Sequence, residues 1–352
     1  AATPGVQLQV AVAGMHLAEE HGHTVDEVEA SGLPICACIP YDVRTRSGAS
    51  MADGIAACLQ GMTAVLQQQR PDALLLLGDR GEMLAGAIAA LHVGVPCVHV
   101  HGGERSGTVD EPVRHAISKL SSYHFVATQD AHERLVRMGE DAARIFVTGA
   151  PGLDGLDEQA AMERAECLAA LQLAAGSRFV LALFHPVVQQ AGDAGAQTGE
   201  VMRALHEARV PVLWLEPNAD AGSLEILRAL DGGALPAGSR RVRHLPRPLY
   251  LAALRHCEAL VGNSSSGVIE AASFGTPVVN VGDRQRMRAH GANVVDVACE
   301  QAAVRDGLSA QLRHGRYGCD NAWGDGHAGE RIARLLATLP LDARLLEKTN
   351  TY

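Results

Sequence analysis

An α/β protein built as two Rossmann-like parallel-sheet halves is what this sequence predicts, on three observations. Short apolar runs bounded by turn residues, such as Ala73–Leu77 and Pro96–Val100, read as buried parallel strands. They alternate with stretches whose apolar residues recur at helical spacing, the pattern of βαβ units. That pattern breaks at Gly149-Ala150-Pro151-Gly152 and then restarts, in a chain of 352 residues, longer than one hydrophobic core usually serves.

Taken in order, Val6–Ala13 opens as a strand, and Gly14-Met15-His16 follows at its carboxyl end. Met51–Arg70 carries helical spacing and stops at Pro71. Strand Ala73–Leu77, helix Met83–His92, strand Pro96–Val100, helix Glu111–Ser121, strand His124–Ala127, helix Asp130–Gly139 and strand Ile145–Val147 complete the first half. Right-handed crossovers between such strands give a parallel sheet with helices on both faces. In the second half, strand Phe179–Phe184 runs into His185-Pro186, and helix Thr198–Ala208 leads to strand Val210–Leu215. Arg241–His244 leads through Pro246 and Pro248 to a helix over Tyr250–His256, and Ala259–Gly262 enters a Ser/Gly turn that opens a helix over Val268–Phe274. Strand Pro277–Val281 follows, and Ala328–Leu339 is the last helix.

Composition excludes several classes. A formal net charge of -10 with no lysine- or arginine-rich run argues against a nucleic-acid or membrane-surface binder. The eight cysteines lie mostly inside apolar segments without CxxC or zinc spacing, so reduced thiols and a cytoplasmic location are expected, with no metal. Cys36-Ala37-Cys38 is too close for an ordinary disulfide. No membrane span or signal peptide is read from the sequence. Neither GxGxxG after an early strand nor GxxxxGK[ST] occurs, so no dinucleotide cofactor or ATP loop is expected.

The densest chemistry lies in Val98–His115 and in Gly78-Asp79-Arg80 before it. Asp79, Arg80, His101, Glu104, Asp110, Glu111, Arg114 and His115 fall just past strand ends or at a helix start, where open α/β sheets bind ligands. His16 has the same strand-end address, although a lone loop histidine is more often structural than functional. In the second half, Asn263-Ser264-Ser265-Ser266-Gly267 reads as a phosphate seat: a helix start offers unpaired N–H groups and partial positive charge, and hydroxyls add donors. Serine N-capping alone explains one of the three serines. Glu270, one turn into that helix, is placed to accept hydrogen bonds from a ribose diol.

In this order and spacing the pieces resemble the hydrolysing UDP-N-acetylglucosamine 2-epimerases of sialic-acid-type sugar biosynthesis. The resemblance is carried by Gly14-Met15-His16, Gly78-Asp79-Arg80, His99-Val100-His101-Gly102-Gly103-Glu104, and Ser106–Glu111 with Arg114-His115. Phe184-His185-Pro186, Gly262-Asn263-Ser264-Ser265, and Phe274–Val278 ahead of Gly282-Asp283-Arg284-Gln285 complete it. It implies the glycosyltransferase-B architecture, two Rossmann-like domains with the ligand in the cleft, here expected as 1–152 and 153–327, with 328–352 returning to the first domain. It implies no cofactor, a UDP-sugar partner and a homodimer or homotetramer.

The implied reaction is anti elimination of UDP from UDP-N-acetylglucosamine through 2-acetamidoglucal, then water addition to release N-acetylmannosamine. By position, Asp79 and Asp110 fall on catalytic carboxylates, His185 on a catalytic or diphosphate-contacting histidine, Ser264 and Ser265 on the phosphate turn, and Glu270 on the ribose ligand. His16, Arg80, Arg114, Asn263, Ser266, Gly267 and Arg284 complete the expected substrate contacts. Crowding carboxylates beside a diphosphate lets one stay protonated as an acid while another works as a base. The chain departs from the pattern twice. Better-known members carry a glutamate where this chain has His101, so His101 or Glu104 takes over that acid/base work. The substitution also fits a relative acting on UDP-2,4-diacetamido-2,4,6-trideoxyglucose. Members also begin with a strand and a Gly-Ser/Thr-Arg turn ahead of the first residue here, so a gap in the first sheet and a weakly stabilised first domain are expected. Two other readings share the fold, a retaining glycosyltransferase and an inactive UDP-sugar-binding protein.

Overall fold

The computed structural model describes residues 3–351. The chain divides into two compact units. The first takes the described residues up to Arg105, then Val109–Asp154, and the chain from Trp323 on; the second takes Ser106–Thr108 and Gly155–Ala322.

In the first unit, β1 (Val10–Ala13) and β2 (Ile35–Ile39) form one parallel pair. A separate parallel ladder joins β3 (Leu74–Leu77), β4 (Cys97–Val100), β5 (Tyr123–Val126) and β6 (Ile145–Val147) in sequence order. β4 and β5 are buried on both faces, whereas β3 leaves Leu75 and Leu77 exposed. The Gly48–Gln69 helix begins at Ser47, which forms a reciprocal cap with Ser50, and ends at Arg70 in a left-handed conformation before Pro71. It is long and apolar enough by composition to cross a membrane. Its buried residues Gly54, Cys58, Met62 and Leu66 recur every fourth position, and the last three pack into a core with Leu76, Ala85, Ala89 and Ile117. Val98, Val100, Tyr123 and Phe125 pack instead with Ile332 of the Ala328–Thr338 helix.

The second unit carries one six-stranded parallel sheet of β7 (Val180–Leu183), β8 (Val212–Leu215), β9 (Arg240–Val242), β10 (Ala259–Gly262), β11 (Val278–Val281) and β12 (Val294–Val297). Their order is β12-β11-β10-β7-β8-β9. The order reverses between β10 and β7, so loops after these two strands diverge and leave the crevice where such sheets bind ligands. Trp214, Val201, Leu205, Val261 and Val304 fill its core.

Strand and helix positions match the periodicity reading to within a few residues, with one informative shift. The helix expected over Val268–Phe274 starts at Ser265, because the Ser264 hydroxyl caps the N–H of Ser266. It tightens into a 3₁₀ turn over Ala271–Phe274 and stops at Gly275, φ +59°, where an added Cβ would lie 2.1 Å from the Tyr317 carbonyl oxygen. The helices Ser223–Gly232 and Gln301–His314 and strand β12 are further elements of this unit.

Candidate active site

The ends of β3 and β4 and the Asp110–Leu120 helix bring one group of side chains together. Arg114, 1% exposed, sends Nη2 to the Asp79 carboxylate and Nη1 to the Glu104 carbonyl oxygen at 3.2 Å. A guanidinium buried this fully must be paired, and its planar fork fixes both partners. Glu104, 3% exposed, pairs through Oε1 with His101 Nδ1. His101 takes a left-handed backbone, φ +64°, which a residue with a side chain adopts only when its surroundings hold it there. The Glu104 pair on one side and the Trp323 ring, 6.1 Å away between centroids, supply that hold. Gly103, two residues on, also has positive φ and lies so close to the Ala131 carbonyl oxygen that a Cβ would reach 2.4 Å. Asp110 and Glu111 occupy the first turn of the helix, where the dipole favours negative charge; Glu111 faces His115 at 3.4 Å. Burial and the nearby guanidinium groups of Arg114 and Arg134 hold His115 below the usual imidazole range, partly offset by Glu111.

A second group sits at the ends of β1 and β3. His16 Nδ1 lies 2.7 Å from the Thr24 hydroxyl, and burial together with the Arg80 charge lowers its affinity for a proton. Arg80 Nε lies 3.3 Å from Glu82, which also accepts from the Tyr41 hydroxyl. Burial works to raise the Glu82 carboxyl, yet Arg80 and Tyr41 prevail and hold it down. Gly14, φ +57°, packs so tightly on the Tyr41 ring that any side chain there would overlap it.

In the second unit Asn263 and His185 form a closed pair: the His185 N–H donates to Asn263 Oδ1 at 2.7 Å, and Asn263 Nδ2 donates to the His185 carbonyl at 2.8 Å. That double bond fixes the loops after β7 and β10 to one another. Arg284 Nη1 donates to the Asn263 carbonyl at 3.1 Å, tying the loop after β11 to the same point. Beside them a cavity of about 400 Å³ is lined by Phe184, Gln190, Asn263, Asp283, Arg286 and Asp296, among others. The turn itself is less open than its sequence implies. Ser264 is spent on the cap, and Ser266 accepts from the Tyr250 hydroxyl and donates to Glu270 Oε2 at 2.5 Å. Ser265 remains the half-buried serine at the helix start. Glu270, 8% exposed, also meets Arg247 Nη2 at 2.9 Å. Gly267 faces the sheet, since a Cβ there would stand 3.0 Å from Val278 and 3.2 Å from Leu260.

The structure thus joins Asp79, Glu104, Arg114 and His101 in one network, puts Arg80, although adjacent to Asp79 in sequence, with His16 in a second, and groups His185, Asn263 and Arg284. Tyr41, Glu82, Tyr250, Arg247 and Trp323 escaped the sequence reading because each lies outside the strand-end motifs it contacts. Tyr41 alone left a signal, as a polar aromatic just after a strand-like run. Among the described residues no cluster of His, Cys, Asp and Glu could hold a metal ion.

Comparison with known proteins follows this geometry. The family described as UDP-N-acetylglucosamine 2-epimerase matches residues 1–337. A Legionella pneumophila UDP-N,N'-diacetylbacillosamine 2-epimerase (hydrolyzing) is 44% identical over 99% of this chain and 92% of its own. A Neisseria meningitidis UDP-N-acetylglucosamine 2-epimerase is 30% identical over 95% of this chain and 88% of its own. Among solved structures, the Neisseria meningitidis UDP-GlcNAc 2-epimerase bound to UDP-GlcNAc superposes with a TM-score of 0.76, at 16% identity, over 94% of this chain and 99% of that one. That likeness is one of fold, the glycosyltransferase-B type.

Proposed function

Because the chain belongs to the UDP-N-acetylglucosamine 2-epimerase family, we propose that it hydrolyses a UDP-linked 2-acetamido sugar with inversion at C2, and that the sugar is 2,4-diacetamido-2,4,6-trideoxyglucose (N,N'-diacetylbacillosamine). The observation that carries the chemistry is the buried Arg114, whose fork holds the Asp79 carboxylate and the Glu104 backbone while Glu104 holds His101. Three groups able to move or steer protons are thereby fixed at the ends of two adjacent strands.

In this reading Asp79 takes the C2 proton, the electron pair forms the C1=C2 bond, and the C1–O bond breaks with its pair on the β-phosphate of UDP. Arg284, His185 and the Ser264-Ser265 turn receive the departing diphosphate, and Glu270 the ribose. Water then adds its hydroxyl to C1 while a proton reaches C2 from the opposite face. His101, paired with Glu104, is assigned the second proton transfer and Asp110 the orientation of water. Two features favour the diacetamido sugar: the identity to the Legionella relative, and an imidazole at 101, which offers a hydrogen-bond donor or acceptor without a fixed charge. UDP-N-acetylglucosamine is the second reading, favoured by the identity to the meningococcal relative.

The two are separated by steady-state release of UDP and of free sugar from each substrate. A kcat/KM at least about tenfold higher for the diacetamido sugar is expected, the scale of one well-made polar contact. A ratio in the other direction assigns the enzyme to UDP-N-acetylglucosamine. Absence of UDP release from both would remove the enzymatic reading.

A further inference from the structure

We infer that His99, which touches neither end of the reaction, is the positioning residue that sets the Asp79 loop against the rest of the proton-transfer network. The inference rests on the role given above to Asp79. His99 lies in β4, fully buried, two residues before His101. Its ring spans three elements. Nε2 is 2.7 Å from the Gly78 carbonyl at the end of β3, and Nδ1 is 2.9 Å from the Ser118 hydroxyl on the Asp110–Leu120 helix. A carbonyl can only accept, so Nε2 carries the proton and Nδ1 accepts from Ser118. The tautomer is fixed by its neighbours.

The consequence is local and directional. Gly78 has φ +86°, and its peptide leads straight into Asp79, so anchoring its carbonyl sets where the Asp79 side chain leaves the backbone to meet Arg114. Ser118 stands one helical turn past Arg114, so the same ring locates the helix that carries the guanidinium. From above, Gly102 closes over the contact: a Cβ there would stand 2.8 Å from Ser118 Oγ and 2.9 Å from His99 Nδ1. Burial drives the His99 imidazole down to about 3, with the neighbouring His124 and His101 adding to the effect of burial and Glu104 opposing it. It is therefore neutral wherever the enzyme works, keeps its Nε2 proton and transfers none in the reaction.

The test uses the different reach of two amides. Glutamine places its amide where histidine has Nε2, and asparagine places it where histidine has Nδ1. His99→Gln can donate to Gly78, while His99→Asn keeps only the Ser118 side. With whichever UDP-sugar the wild type turns over, His99→Asn is expected to lose about a hundredfold in kcat, the scale of misplacing a reacting group. KM and UDP affinity should stay within about twofold, the loss should be equal across pH 6 to 8.5, and His99→Gln should recover to within about tenfold of wild type. Equal activity of the two variants, losses that follow melting temperature instead of amide position, or a displaced limb of the pH–rate profile would overturn the inference. Amide hydrogen exchange over residues 78–80 supplies a readout without turnover. Exchange there should quicken in His99→Asn and not in His99→Gln even if the wild type released UDP from neither substrate, in which case the proposed function fails while the anchoring of the Asp79 loop by His99 stands. Unchanged exchange in His99→Asn would defeat it.

Discussion

The two units bury different things. In the second, the four central strands β7, β8, β10 and β11 are buried along their whole length, and the core around Trp214 is aliphatic and aromatic. Several of its buried polar side chains lie at loops and helix ends, as in Asn263, Ser264, Ser266 and Glu270, and the polar residue within a central strand, Asn280, is uncharged. In the first unit the sheet is parted between β1–β2 and β3–β6, and charge and imidazole enter the core itself: His99, His124, Arg114, Glu104 and Glu140 are each 3% exposed or less. Under the proposed function the contrast is one of task. Holding a nucleotide asks for loops fixed on a stiff apolar frame, whereas moving protons asks for ionisable groups placed away from bulk water, where each one costs stability unless paired. The first unit meets that cost with partners: Glu140 is held by His124 at 2.9 Å and Lys348 at 2.5 Å, and Lys348 also donates to the carbonyls of Ser118, Lys119 and Ser121.

Paired substitutions, one in each unit, should separate the two roles. Asp79→Asn should leave UDP affinity intact and lower kcat by about a hundredfold or more, the usual scale for removing an acid/base group. Glu270→Ala should do the reverse, raising KM about ten- to a hundredfold, the equivalent of about 1.5 to 3 kcal/mol of lost charge-assisted hydrogen bonding, while turnover at saturation persists. Steady-state kinetics with UDP titrations check both. A collapsed kcat in Glu270→Ala, or near-normal kcat in Asp79→Asn, would erase the division of labour.

A smaller effect concerns acid. Burial depresses His99 to about 3 and also lowers His124, while an unfolded imidazole titrates near 6.5, so the unfolded chain binds these protons first. The His99 contribution is therefore whole above about pH 6.5 and declines as pH falls toward 3, at about 1.4 kcal/mol per pH unit, and that of His124 declines in the same direction. Burial alone would raise Glu140, but His124 and Lys348 overcome it and hold it at about 2, so its contribution is lost below about pH 4.5 in the same direction. The two tryptophans divide between the units, Trp323 in the first and Trp214 in the second. Acid titration of the single-tryptophan variants Trp214→Phe and Trp323→Phe should show the Trp323 signal changing at higher pH. Coincident transitions would mean the polar core does not set acid stability.

Most of this fold was legible because apolar runs and helical spacing report burial directly. The strand-end clusters were legible too, since Gly78-Asp79-Arg80 and Val98–His115 place ionisable residues where a parallel sheet binds ligands. What the sequence hid is pairing. The Ser264–Gly267 turn read as a run of donors, and nothing local showed that the Ser266 hydroxyl lies between Tyr250 and Glu270 or that Gly267 packs against Val278 and Leu260. His99 read as an apolar strand position carrying a motif letter, and only its distances to Gly78 and Ser118 show what it holds. Contacts between residues far apart in the chain leave no local periodicity to read.

The most direct test of the account is solvent exchange at C2. Turnover of the UDP-sugar in deuterium oxide should release UDP and a free sugar that is inverted at C2 and carries one deuterium there, read by mass spectrometry and proton NMR. Release of a sugar that keeps its original C2 proton would contradict proton abstraction, and with it the role given to the Asp79–Arg114 network.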